Sequence, residues 1–228
     1  MWDIRTYRTG SITMRRGLVV VAAAIVAAVG VLFSMPSLAS AELNTVPDAG
    51  TVHTDGQVNT ILVVGDRIYL GGTFTTVNGV SRSRLAAIDA STGELTDWAP
   101  RASTVVRALA ASPDGSRIYV GGDFRSVSGV EGLGRLAAID ASSGAVDQTW
   151  KPQADAAVRA LATLGSRVYI GGDFTTVGGQ IRTRLASVDA MTGELDPEWH
   201  PTSNGKVRTL LPSSDGSSIY VGGGFYRD

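Results

Sequence analysis

Short apolar runs alternate with turn residues along the chain from about residue 56 onward. Stretches 58–64, 105–110, 158–162 and 207–211 are apolar and of strand length. Each is followed by turn formers: Gly65-Asp66, Pro113-Asp114-Gly115, Gly165-Ser166 and Asp215-Gly216. Such residues tolerate the backbone of a tight hairpin. A second strand follows at Ile68-Tyr69-Leu70 and its copies, β-branched and aromatic, each ended by a glycine pair. A third is expected at 85–88, 136–139 and 185–188, and a short fourth near 95–98. No window in this region carries a helical period.

These elements form one unit written nearly four times. Tyr69, Tyr119, Tyr169 and Tyr220 are spaced 50, 50 and 51 residues apart, and Phe74, Phe124, Phe174 and Phe225 each follow five residues behind. Trp98, Trp150 and Trp199 recur in step. Stretches 67–95 and 167–195 agree at 19 of 29 positions. Four short strands in about 50 residues make one blade of a β-propeller. The pattern predicts an all-β fold: three full four-stranded blades (56–103, 104–154, 155–203) and the first half of a fourth (204–228), an incomplete, open arc. A blade cannot bury both of its faces alone, so the repeated Tyr, Phe and Trp are assigned to the core between blades.

The first 41 residues follow a different pattern. Arg5, Arg8, Arg15 and Arg16 stand at the head, residues 17–41 carry no charge, and Pro36 precedes Ala39-Ser40-Ala41. A basic head, an apolar core and an A-x-A end form a secretory signal, with cleavage leaving Glu42 as the mature N-terminus. The competing reading keeps the apolar run as an N-terminal hydrophobic helix that anchors the repeats outside the membrane, since 25 uncharged residues are long enough to span it. Residues 42–55 are a linker or an outer strand.

The repeated pieces resemble a known family. Tyr119-Val120-Gly121-Gly122-Asp123-Phe124 and its copies, then Val-x-Gly, Arg-Leu-Ala, Asp-Ala and Trp-x-Pro, are similar to the delta-60 repeat of bacterial β-propellers. The resemblance spans 58–225. It implies a secreted or surface-attached propeller and carries no established activity, so it assigns no catalytic residue.

Composition narrows the chemistry. The 228 residues hold 20 Lys+Arg and 21 Asp+Glu, a formal charge of −1. Without the basic leader the remainder stands at −4. Neither value fits a nucleic-acid partner. With no Cys and two His, thiolate sites, Cys nucleophiles and His-rich metal sites are excluded. No cofactor is expected.

Several motifs are read as structural. The Gly-Gly-Asp-Phe segments share letters with cyclic-dinucleotide synthases, but that chemistry needs a second carboxylate, and here the Asp is replaced in other copies. Asp89 to Trp98 matches the tryptophan-docking pattern of quinoprotein propellers, in which Asp caps a turn and Trp docks on a neighbouring blade. We read this as a shared structural solution. Asp114 and Asp215 are turn formers with too few ligands for calcium. Arg84, Arg135 and Arg184 are expected to pair with Asp89, Asp140 and Asp189, five residues on. Arg107, Arg159 and Arg208 hold equal places in first strands, where they can line the channel and suit an anionic ligand.

The expected function is a secreted or cell-surface, non-catalytic binding module or scaffold for an extracellular glycan or protein, part of a longer propeller. Its unpaired blade edge invites self-association. The alternative is an extracellular enzyme, glycan-active or quinone-dependent. Edman sequencing of the exported protein tests the leader. The expected first residue is Glu42, and a membrane-bound form keeping its N-terminus would establish the anchor.

Overall fold

The computed structural model describes residues 3–8 and 52–226. The apolar stretch 17–41, the Ala39-Ser40-Ala41 site and Glu42 lie outside these residues. Among the described residues every regular element is a strand, and no helix is long and apolar enough to cross a membrane. The strands are β1 (Asp3–Arg8), β2 (Val58–Val64), β3 (Arg67–Gly72), β4 (Thr76–Val77), β5 (Val80–Ser81), β6 (Leu85–Asp89), β7 (Val106–Ala111) and β8 (Arg117–Gly122). They continue as β9 (Leu136–Asp140), β10 (Val158–Leu164), β11 (Arg167–Gly172), β12 (Thr176–Val177), β13 (Gln180–Ile181), β14 (Leu185–Asp189), β15 (Val207–Pro212) and β16 (Ser218–Gly223).

Each blade is an antiparallel meander. Its sheets run β2-β3-β6, β7-β8-β9 and β10-β11-β14. The fourth strand is reduced to a single bridge: Ile88 to Leu95, Ile139 to Val146 and Val188 to Leu195. The linkers after β3 and β11 form the small ladders β4-β5 and β12-β13. In the fourth sheet β15 and β16 are joined by β1, antiparallel to β16 with Asp3 opposite Gly223 and Arg8 opposite Ser218. Cleavage after Ala41 would remove β1 from that edge. Of the linker 42–55, Thr54 bridges Val77 and the His53 amide donates to Asn78, so its last residues belong to the first blade.

The core lies between blades. Tyr69, Leu85, Ala87 and Trp98 of blade one cluster with Val106, Leu109, Ile118 and Val120 of blade two. Tyr119, Leu136, Ala138 and Trp150 pack in the same way on Val158, Leu161, Val168 and Ile170. Tyr169, Leu185 and Trp199 pack on Val207, Leu210, Ile219 and Val221. Phe74, Phe124 and Phe174 are fully buried. Alternate residues of one strand thus serve two different junctions, which follows from the two-residue period of a pleated strand.

The first glycine of each pair sets the blade spacing. A Cβ built on Gly71, Gly121 or Gly171 would lie 2.5, 2.5 and 2.4 Å from a γ-methyl of Val106, Val158 and Val207, each in the next blade. No side chain fits in that gap, so glycine here is required by close approach. The change Gly121→Ala is expected to cost about 1–3 kcal/mol through overpacking. Urea unfolding of the variant against wild type checks it, with Gly165→Ala, whose site is open but at positive φ, as the backbone control.

Candidate functional site

Two repeated polar constructions dominate the arc. The first locks consecutive blades together. Asp89 accepts from the amides of Ser91 and Thr92, closing the turn after β6, and Asp140 and Asp189 do the same after β9 and β14. The preceding blade docks on that turn. Tyr69 Oη donates to Ala141 O at 2.8 Å and Trp98 Nε1 to Asp140 O at 2.9 Å. One blade on, Tyr119 Oη donates to Ala190 O at 2.7 Å and Trp150 Nε1 to Asp189 O at 3.2 Å. Each Tyr lies against its own blade's Trp, with ring centroids 5.0–5.1 Å apart. Burial pushes the phenols of Tyr69, Tyr119 and Tyr169 up. The tryptophan docking expected from the sequence forms on these turns.

The expected pairing of Arg84, Arg135 and Arg184 with Asp89, Asp140 and Asp189 is not what forms. Arg84 and Asp89 flank opposite ends of β6, about 16 Å apart at strand rise, while the aspartates are engaged in their turns. Arg84 Nη1 instead donates to Ala102 O, Arg135 Nη1 to Ala154 O and Arg184 Nη1 to Ser203 O. All three residues have φ between 66° and 69°. That left-handed turn directs the guanidinium to the chain entering the next blade, and its hydrogen bond offsets part of the conformational cost.

The second construction is a row of bulges. The ladder register slips by one residue at the start of β2, β7, β10 and β15, leaving Asn59, Arg107, Arg159 and Arg208 as the extra residues. A bulge re-aims a side chain out of the ladder and is frequent beside functional sites. These strands are the innermost of their blades, since consecutive ones touch each other. Arg107 forms a bidentate pair with Asp123, Nε to Oδ1 at 2.9 Å and Nη2 to Oδ2 at 2.6 Å. Arg159 repeats this with Asp173 at 2.9 and 2.6 Å. In blade one Asn59 Nδ2 reaches Val106 O of the next blade, and Thr73 fills the Asp position. In blade four the Asp position is Gly224.

These pairs are half-buried at the rim. The Arg159 guanidinium holds the Asp173 carboxyl below its usual value, with Lys206 and Arg107 adding to the effect. Asp173 in turn raises Arg159, and Asp123 of the neighbouring blade contributes. Arg107, Asp123, Arg159 and Asp173 thus form a neighbouring set of alternating sign. Its arginines stand out in the sequence as equivalent positions, whereas their aspartate partners do not. A partial signal for the partners is nonetheless present in the copies: Asp follows the glycine pair in blades two and three, where Arg is at the bulge, and Thr follows it in blade one, where Asn is, while blade four departs with Arg208 and Gly224.

Among the described residues no group of three His, Asp or Glu side chains is placed to hold a metal. Asp114 closes its hairpin turn by accepting from the amide and hydroxyl of Ser116. Asp215 accepts in the same way from the amide and hydroxyl of Ser217. A shallow cleft of about 370 Å³ between blades one and two is lined by Asp66, Arg67, Tyr69 and Asp140.

Comparisons agree on the architecture. Residues 65–90 match a family described as "Domain of unknown function (DUF5122) beta-propeller". No curated protein sequence matches the chain. Similar solved structures include "Structure of U3-55K" (TM-score 0.51, 14% identity, covering 72% of this chain and 46% of that one). Another is "Crystal structure of WD40 beta propeller domain of Doa1" (TM-score 0.50, 13% identity, 74% and 51%). The chain spans about half the length of these two chains, and the likeness is one of fold.

The turn aspartates are expected to make the arc acid-sensitive. Hydrogen bonds from turn hydroxyls and amides hold the carboxyls of Asp89, Asp114, Asp140 and Asp215 at about 2, against an ordinary 3.8. A carboxyl with a lowered native value stabilises the fold fully above its unfolded value and loses that contribution as pH falls through its native value. Melting temperature is expected to be flat above about pH 5 and to drop between about pH 4 and 2. Circular-dichroism melts across that range measure it, and Asp140→Ala should lower the plateau and flatten the drop.

Proposed function

We propose that the chain is an extracytoplasmic β-propeller repeat module of the delta-60 type, working as a non-catalytic binding scaffold whose ligand contact is the bulge row at the inner rim. The observation that carries this reading is the side-by-side placement of the Arg107–Asp123 and Arg159–Asp173 pairs on consecutive bulges. A planar donor fork beside a carboxylate acceptor, repeated at blade spacing, suits a ligand that offers hydroxyls at regular intervals. A glycan has that character. The alternation of sign makes the row a poor trap for a simple anion, because each guanidinium already faces a carboxylate.

Two further features support the address and the role. The basic, apolar and A-x-A order of residues 1–41 matches an export signal. The tyrosine and arginine hydrogen bonds to backbone carbonyls recur from blade to blade, and so do the Arg117–Asp147 and Arg167–Asp196 ion pairs, as expected of a scaffold.

A glycan array probed with the full chain tests the proposal. Wild type is expected to bind a defined subset of glycans, and Arg107→Ala/Arg159→Ala to lose it by about tenfold or more while keeping its circular-dichroism spectrum. Binding that survives in the double variant would remove the rim from the site, and a wild type that binds no glycan would remove the glycan.

A further inference from the structure

The junction between blades one and two departs from the copies that follow it, and it does so at polar positions. In blades two and three the arginine that opens β8 or β11 is matched by an aspartate of its own blade. Arg117 Nη1 lies 3.0 Å from Asp147 and Arg167 Nε 3.6 Å from Asp196. In blade one Thr96 holds the aspartate's place. Its amide donates to Ala87 O, as the amides of Asp147 and Asp196 donate to Ala138 O and Ser187 O. The Thr96 hydroxyl donates to the same Ala87 carbonyl, so it serves its own strand. Among the described residues no carboxylate comes within ion-pair distance of Arg67.

Two more substitutions accompany this one. Asp66 precedes Arg67, whereas Ser116 and Ser166 precede Arg117 and Arg167. The capped turn of the next blade presents Ser142 to Arg67, where it presents Met191, 65% exposed, to Arg117. The carboxylate that blades two and three keep against their arginine has thus moved to the hairpin turn, and the facing position is polar only here.

These residues line the cleft of about 370 Å³ between blades one and two, a volume within the usual range of small-molecule sites. Arg67 reaches across it, with Nη1 donating to Ala141 O at 2.8 Å and Ser142 O at 3.2 Å. Both Nη1 protons are thereby committed, while Nε and Nη2 take no carbonyl or carboxylate of the described residues. Opposite stands Asp140. All four bonds that it accepts from Ser142 and Ser143 fall on Oδ1, which leaves Oδ2 to the cleft. Asp66 is exposed, and Ser116 completes the polar lining.

We infer that this cleft binds a neutral sugar unit, whose adjacent hydroxyls accept from Arg67 Nε and Nη2 and donate to Asp66 and Asp140 Oδ2. One guanidinium and two carboxylates sum to −1, which disfavours an anion, and the guanidinium among the carboxylates disfavours a metal ion. Hydroxyls both donate and accept, and so satisfy a lining of donors beside acceptors. The cleft lies at the far end of the strands from the bulge row. Arg67 opens β3, and Gly72 closes it beside the Asn59 bulge, about 17 Å away at strand rise. The inference therefore does not rest on what the rim binds.

The test is titration of the full chain with the methyl glycosides of glucose, galactose and mannose, followed by saturation-transfer NMR. Methyl glucuronide and glucosamine serve as charged counterparts. Wild type is expected to bind at least one neutral glycoside in the millimolar range. Thr96→Asp gives Arg67 the carboxylate that Arg117 and Arg167 already have. It is expected to weaken binding about tenfold or more with an unaltered circular-dichroism spectrum. Asp66→Ala removes an exposed acceptor without touching the core, and is expected to weaken binding about fivefold. Arg107→Ala/Arg159→Ala should bind as wild type does, and loss of binding there would move the sugar to the rim. That result overturns the cleft site. So does a wild type that binds none of the neutral glycosides, binding unchanged in Thr96→Asp or in Asp66→Ala, or tighter binding of a charged counterpart than of every neutral glycoside.

Discussion

The arc depends on one interaction repeated at each junction: a tyrosine and a tryptophan of one blade donating to the carbonyls of the next blade's aspartate-capped turn. The turn presents these carbonyls because Asp140 or Asp189 holds its loop closed through two backbone amides. The donors are half of a large apolar contact, so the polar bonds are made where water is excluded. A buried donor without its acceptor is costly, which gives the docking a single register. Shape and polarity therefore specify the same position, and the blades have one angle at which they fit.

The glycine pair is the steric counterpart of that lock. Its first member removes a Cβ that would overlap a valine of the next blade. Its second sits against the backbone of its own inner strand, Gly122 beside Val105 O and Gly172 beside Ala157 O. The strand is thus held close on two sides at once. The bulge beside it releases one residue from the ladder, and this released position carries Asn59, Arg107, Arg159 and Arg208. The scaffold and the candidate site are connected here: the close packing that needs glycine lies next to the irregularity that frees a polar side chain toward the rim.

The legible and illegible parts of the sequence divide by distance. Turn and strand signals act within a few residues, and strands 58–64, 85–88, 136–139 and 185–188 lie where apolar runs and flanking turn formers put them. The carboxylates at the ends of the third strands were expected to meet arginines five residues away, which is close in sequence but far along an extended strand. They serve their own turns instead, and Arg84, Arg135 and Arg184 serve the chain entering the next blade. The Arg107–Asp123 pair bridges 16 residues across a hairpin, and no local rule connects them.

The repeat, its length, the all-β class and most of the interblade core are legible in the order of residues, because a period of about 50 residues with alternating apolar positions admits few packings; Tyr220, assigned to that core, is instead 40% exposed, and Phe225 is only partly buried. The sequence also marked the bulge arginines as equivalent. Tertiary structure alone decided which partner each polar group takes, since that depends on the twist and spacing of blades rather than on order along the chain. Burial is a property of neighbours, and Val58 differs from Val106 only in what stands beside it.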